Sequence, residues 1–257
     1  MEPLVAVGSI AVPEGSIRVL ELQIEQICNE AGFPEGEELK WSPGRELWMA
    51  TNLIEDARST FFQKILQAAA TSGVVATVVI GEATAERVTA QNCSAEVDVT
   101  GMLLERIQFQ TPFDQQATIV ADRPSGDRKE EDRFVANCLT TVKKGTRLLR
   151  NFDLIALVLT TNSKLVRLLQ LADLITSCTL SFVSGEQRFA PGTFQYVKPL
   201  LRSDANRIGG IGVKIHPESK YANLYHWLFG DQSYVLHNAT YPLPLPGHSF
   251  PHSADRR

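Results

Sequence analysis

The chain has 257 residues, 44% hydrophobic and 21% charged, a balance that excludes a disordered chain, a collagen or a long coiled coil. Its net charge of −4 weighs against a surface built throughout for phosphate contacts, because nucleic-acid affinity rests largely on cations. No run of about 18 apolar residues occurs, so no membrane partner is expected. Met1 to Ala11 lacks the basic flank of a secretory signal. Cys28, Cys93, Cys138 and Cys178 lie far apart with no Cys-x-x-Cys pair, which argues against structural zinc. The expectation is a reduced, cytoplasmic protein.

Leu4 to Val12 reads as a short strand closed by Pro13 and Gly15. From Ser16, apolar residues Ile17, Leu20, Ile24, Ile27 and Ala31 recur at helical spacing up to Gly32. A polar loop with Glu37, Glu38, Lys40 and Trp41 leads to a second helix over about Leu47 to Ala70. Val74 to Ile80 is β-branched enough for a central strand. Asp98 to Gln110 predicts a helix, and Ala117 to Ala121 a buried strand running into the turn Asp122 to Gly126. Asp127 with Glu130 has the form of a capping box, opening a helix that Gly145 stops. Leu154 to Thr160 is the next strand, and Leu165 to Val183 an almost wholly apolar helix expected to be buried. Ile208 to Ile215 reads as a glycine-containing strand, Tyr221 to Phe229 as an aromatic helix, and the stretch beyond Tyr241 as a loose tail. Strands alternating with helices predict an α/β fold with a mixed sheet.

Three acids stand where an ordinary surface acid would not. Asp122 follows an uncharged strand at its carboxyl end, where ligands of open α/β sheets collect; a turn-forming Asp is the alternative. Asp173 is the lone acid of the apolar helix, sharing a side with Gln170 and Ser177; an ion pair with a neighbour such as Arg167, or a partly solvated helix face, is the alternative. Glu38 sits in a loop of mixed acid, base and aromatic residues, which by itself reads by default as a solvated loop, with a binding site as the alternative. Together the three suggest a magnesium or manganese site, since these ions take oxygen ligands and can activate water against a phosphodiester. Basic residues from Arg123 to Arg150 read as a salt-bridged helix, with Lys143 to Arg150 as an alternative backbone contact for nucleic acid. Gly209-Gly210-Ile211-Gly212 lacks the context of a phosphate loop, and His216, His226 and His237 form no triad.

Glu38-Leu39-Lys40-Trp41, the strand ending at Asp122, and Asn162-Ser163 leading to Leu169-Gln170-Leu171-Ala172-Asp173-Leu174 occur in an order that resembles the domain-of-unknown-function 3800 family. The resemblance covers about Leu4 to Gly185 and implies a ribonuclease H-like fold with Glu38, Asp122 and Asp173 as catalytic and metal-binding acids. Lys40 and Gln170 would then face the substrate. Family members open with a strand ending in Asp-Glu-Ser-Gly. No such run occurs here, and the chain begins inside what resembles the family's second strand, so a start codon further upstream is expected. Without that central strand, two neighbouring strands should present open pairing edges.

These observations divide the chain into a ribonuclease H-like core over 1–185, a C-terminal extension over 186–240 packed on it, and a flexible tail over 241–257. They lead to the expectation of a divalent-metal-dependent nuclease or phosphodiesterase acting on nucleic acid. The alternative is an inactive binding module of the same fold, recognising nucleic acid or a protein partner.

Overall fold

The computed structural model describes residues 4–83, 95–236 and 239–246. The chain runs through β1 (Leu4–Ala11), α1 (Glu14–Glu30), α2 (Trp48–Asn52), α3 (Glu55–Thr71), β2 (Val75–Glu82) and α4 (Ala95–Gln110). It continues through β3 (Ala117–Asp122), α5 (Arg128–Lys144), β4 (Ile155–Thr161), α6 (Arg167–Val183) and α7 (Ala190–Val197). The last elements are β5 (Val213–His216), α8 (Glu218–Leu224), β6 (Ser233–Leu236) and β7 (Ala239–Pro242). The fold is mixed α/β, with a mixed sheet flanked by helices.

β2 is the centre of that sheet. β1 pairs with it antiparallel and β5 parallel, giving the order β1-β2-β5. Its apolar run alternates between two layers, as successive strand residues must. Ala76, Val78 and Ile80 enter a core shared with Leu20 and Ile24 of α1, Phe62 and Ile65 of α3, and Leu171 and Leu174 of α6. Val79 faces the other way, against Val99 and Leu103 of α4. Glycine permits the closest approaches: a Cβ on Gly81 would lie 2.8 Å from Val99, and one on Gly8 would collide with Thr176 of α6.

β3 and β4 form a separate parallel pair. One face covers a small core of Leu104, Cys138, Phe152, Ile155 and Val158. Helix α4 joins the two sheets, for Ile107 packs against both of its neighbouring cores. Among the described residues, β1 pairs only with β2 and β3 only with β4, so each keeps one unpaired edge.

The C-terminal part joins the larger core through Phe194, Tyr221, Tyr225 and Phe229. Of the stretch expected as a tail, Tyr241 and Pro242 belong to β7, Leu243 is buried, and 247–257 lie outside the described residues. Cys93 and His237 also lie outside them, while Cys28, Cys138 and Cys178 are buried free thiols.

Four elements differ from the sequence expectation. The helix expected over Leu47 to Ala70 breaks at Leu53 and Ile54, whose backbone leaves the helical region, and Arg58 closes the end of α2 by donating to the carbonyls of Leu53 (2.7 Å) and Met49 (3.1 Å). The helix expected from Leu165 starts at Arg167; Ser163 to Leu165 form one 3-10 turn, with Leu165 80% exposed. The strand expected from Ile208 begins at Val213, since the Asp231 carboxylate captures the amides of Ile208 and Gly209, and Gly210 (φ 75°) turns the chain. The aromatic helix ends at Leu224 and passes into a π-helical turn over Tyr225–Phe229. Asp127 caps α5 as expected, accepting from the amides of Lys129 and Glu130 (2.9 and 3.2 Å). Glu130 does not complete the box; its carboxylate holds Arg133 instead.

Candidate functional site

The loop after α1 presents alternate residues inward and outward. Leu39 is buried at 1% exposure, and Trp41 stacks on Phe62 while its indole N–H donates to Ser181 Oγ (2.9 Å). Glu37 Oε1 accepts the amide of Met49 (3.2 Å), tying the loop to α2. With those residues fixed, Glu38 and Lys40 turn together and pair at 3.2 Å.

Ser163 is the joint between this loop and the β3-β4 pair. Its hydroxyl donates to Glu38 Oε1 (2.6 Å), and its backbone N–H donates to Asp122 Oδ1 (3.1 Å). Asp122, the last residue of β3, lies opposite Thr161 of β4, so the parallel register delivers Asp122 and Ser163 to the same end of the pair. Nothing in the spacing of Asn162-Ser163 announced this role; its only sequence signal is position, directly after a strand and before a helix.

Behind the loop stands a buried polar network. Arg167, 8% exposed, donates through Nε to Glu25 (2.7 Å) and through Nη1 to the Glu37 carbonyl (2.9 Å) and Gln170 Oε1 (2.7 Å). Its ion-pair partner is therefore Glu25 of α1, not Asp173. Glu21 accepts the first amides of α6, from Arg167 (3.2 Å) and Leu168 (2.9 Å), and so satisfies that helix start from outside. Gln170 is buried and wholly engaged: its carbonyl also takes the Leu39 amide (3.1 Å), and its NH2 donates to the Ser163 carbonyl (2.8 Å). Expected at the substrate, Gln170 instead fixes both the Glu38 loop and the Ser163 turn from within.

One turn on, Asp173 accepts from Ser177 Oγ (3.2 Å). Its carboxylate still meets water, yet surrounding protein desolvates it, and this pushes its pKa above the ordinary aspartate value. The Ser177 bond and the Lys40 charge oppose that rise, while the charges of Glu38 and Asp122 add to it. Glu38 moves the other way: burial works against its charge, but the bonds from Ser163 and Lys40 outweigh it and hold its carboxyl below the usual range.

Glu38, Asp122, Asp173 and Lys40 thus share one electrostatic neighbourhood, with Ser163 binding two of the acids directly. A depression of about 280 Å³ opens beside Glu38, with Lys164 on its wall. Among the described residues, no three His, Cys, Asp or Glu side chains stand at metal-ligand spacing. A larger depression of about 480 Å³, beside Arg202 and Val75, contains none of the three acids.

Other side chains singled out by sequence have structural settings. His226 Nδ1 lies 2.8 Å from the Asp231 carbonyl and its ring meets Trp227 edge-on. A Cβ on Gly209 would strike Tyr225, which explains the first residue of the glycine run by close packing. No helix among the described residues is long and apolar enough to cross a membrane. No family model matches the chain, and neither a curated protein nor a solved structure is significantly similar to it.

Proposed function

We propose that this chain is a divalent-metal-dependent nuclease or phosphodiesterase of ribonuclease H-like fold, with Glu38, Asp122 and Asp173 as its acidic cluster. The observation that carries the reading is Ser163, whose hydroxyl and amide tie Glu38 and Asp122 together within the charge field of Asp173. A magnesium or manganese ion suits the donor set, which is all carboxylate oxygen, and would favour the Asp173 charge, which desolvation first and the Glu38 and Asp122 charges after it disfavour. When bound, such an ion supplies water activation and charge stabilisation at the leaving oxygen of a phosphodiester.

The protein's own part is orientation. Ser163 fixes the Glu38 carboxylate, Lys40 stands 3.2 Å from that carboxylate with 43% of its side chain exposed to meet a phosphate oxygen, and Gln170 and Arg167 hold the loop in register. Asp173→Asn is expected to lower manganese-dependent cleavage of a generic phosphodiester or labelled oligonucleotide by about 10²-fold or more, the scale of losing a catalytic group. It should also remove the upward shift of the thermal melt on adding manganese. Undiminished cleavage by that variant takes Asp173 out of the mechanism.

The second reading is a non-catalytic module of the same fold, which would recognise a nucleic acid or a protein partner through the acids or through the exposed cations from Lys143 to Arg150. Nucleic-acid binding without divalent-dependent cleavage by the wild type would select it.

A further inference from the structure

Helix α5 changes character along its length. Its first turns carry Glu130 and Glu131, paired with Arg133 and Arg123 at 2.7 and 3.1 Å. Between Asp132 and Asp153 the sequence holds no acid, while Lys143, Lys144, Arg147 and Arg150 follow one another within eight residues. All four are exposed, and none has a carboxylate partner among the described residues.

The turn that carries them is tightly built. Gly145 takes a positive φ of 77° to leave α5, and the chain then folds back on itself. The Thr146 amide donates to the Leu149 carbonyl (2.6 Å), and the Thr146 hydroxyl accepts the amides of Leu148 and Leu149 (3.2 and 3.0 Å). That hydroxyl also donates to Glu105, buried at 6% exposure on α4, so the turn is pinned to the core. The return brings the Arg150 backbone to within 2.7 Å of where a Cβ on Gly145 would stand. Arg147 and Arg150 are thereby held beside Lys143 and Lys144 on one rigid knob.

Lys143 and Lys144 complement the carbonyl end of α5, where cations are favoured. That role does not extend to Arg147 and Arg150, which lie beyond the helix. The other acids at this end of the β3-β4 pair are Asp114 and Asp153, both exposed, and Glu105 is taken by Thr146. Four exposed cations without a carboxylate partner among the described residues thus gather on a chain whose overall charge is −4, two of them outside the helix.

We infer that the Lys143–Arg150 turn is a contact surface for the phosphate backbone of a nucleic acid, an inference that rests on the reading of this chain as a protein acting on phosphodiesters. The turn precedes β4 and the acids lie at the strand's far end, seven residues on. At a strand rise of about 3.3 Å per residue that is roughly 20 Å. About six base pairs of duplex cover such a span. A backbone gripped at the knob could therefore reach the Asp122–Asp173 end, and the cations would set affinity without reading sequence.

The test is fluorescence anisotropy of a labelled 20-nucleotide single strand, with excess EDTA, across a salt series. Wild type is expected to bind, and K143Q/K144Q/R147Q/R150Q to bind at least about tenfold more weakly at low salt. For single strands each neutralised phosphate contributes about 0.7 to the log–log salt slope, so losing four cations should flatten it by about three. R147Q/R150Q alters no helix residue and should show about half of both effects, while Lys64→Gln on α3 should show neither. Unchanged binding by the quadruple variant with a wild-type melt overturns the inference. So does wild type that fails to bind, or that binds heparin or anionic vesicles as tightly as nucleic acid with the same losses. Because the readout excludes metal, failure here leaves the acidic site standing, and failure of Asp173→Asn to abolish cleavage leaves this binding result intact.

Discussion

β2 is covered on both faces, whereas β3 and β4 are covered on one. Around β2 the core draws on α1, α3, α6, α7 and β5, and includes ten or more side chains with no measurable exposure, such as Ile65, Leu171 and Ile80. Around β3 and β4 it reaches five buried residues, and Val120, Leu157 and Leu159 on the opposite face stay 45–47% exposed. Parallel strands are ordinarily buried on both sides, so the second layer draws its support from α5, which packs on β4 with α4 behind it, and from the Ser163 joint. The candidate acids stand where the weaker layer meets the stronger one. A well-packed body thus fixes Glu38 and Asp173, and the thinner layer brings Asp122 to them.

The largest effect that would sharpen this contrast is in the main core. Ile65→Ala should lower unfolding free energy by about 2–5 kcal/mol in urea titration. Val158→Ala in the smaller core removes two methylene equivalents and should lose about 1.6 kcal/mol. Equal losses would break the comparison.

An effect below that of Ile65→Ala belongs to Glu82, at the end of β2. Burial disfavours its charge, yet the bonds from Lys220 and Tyr221 prevail and hold its carboxyl below the ordinary 4.5. A depressed carboxyl stabilises the fold fully above its unfolded pKa and loses that contribution as pH falls through the folded value. Glu82→Gln should therefore be less stable than wild type at pH 7, by about 1.5–3 kcal/mol on the scale of charged hydrogen bonds. The gap should narrow below pH 4.5, which paired melts across pH would reveal.

The smallest effect is on the surface. Arg133→Ala breaks an ion pair with Glu130 whose side chains are 64% and 44% exposed, and should change the melt by under about 1 kcal/mol.

Much of the fold was legible because it rests on local patterning. The β-branched run before Glu82, the Asp127 cap and the apolar face of α6 each declared themselves by spacing or composition. The helix break at Leu53 was not legible, since Leu53 and Ile54 are ordinary helix residues by type and the Arg58 side chain that closes the break comes from the next helix. Among the site residues, Asp173 stood out as one charge in an apolar helix. Ser163 did not, because its importance comes from two partners 125 and 41 residues away. Gln170 was visible as polar, but whether its amide faces solvent or the interior is decided by Leu39 and Arg167, from a distant loop and the preceding helical turn.

The open edge of β1 has a colloidal side. Proteins commonly protect such edges with a charge or a proline, yet Leu4 to Ala11 contains neither. Among the described residues nothing pairs with its outer side, where alternate residues offer amides and carbonyls with no side-chain charge to repel a second strand. At high protein concentration, this is the segment at which self-association would begin. Because α4 and α6 cover the faces of β1 and not its edge, a single charge placed on this strand should bear more on self-association there than an equal change in net charge elsewhere.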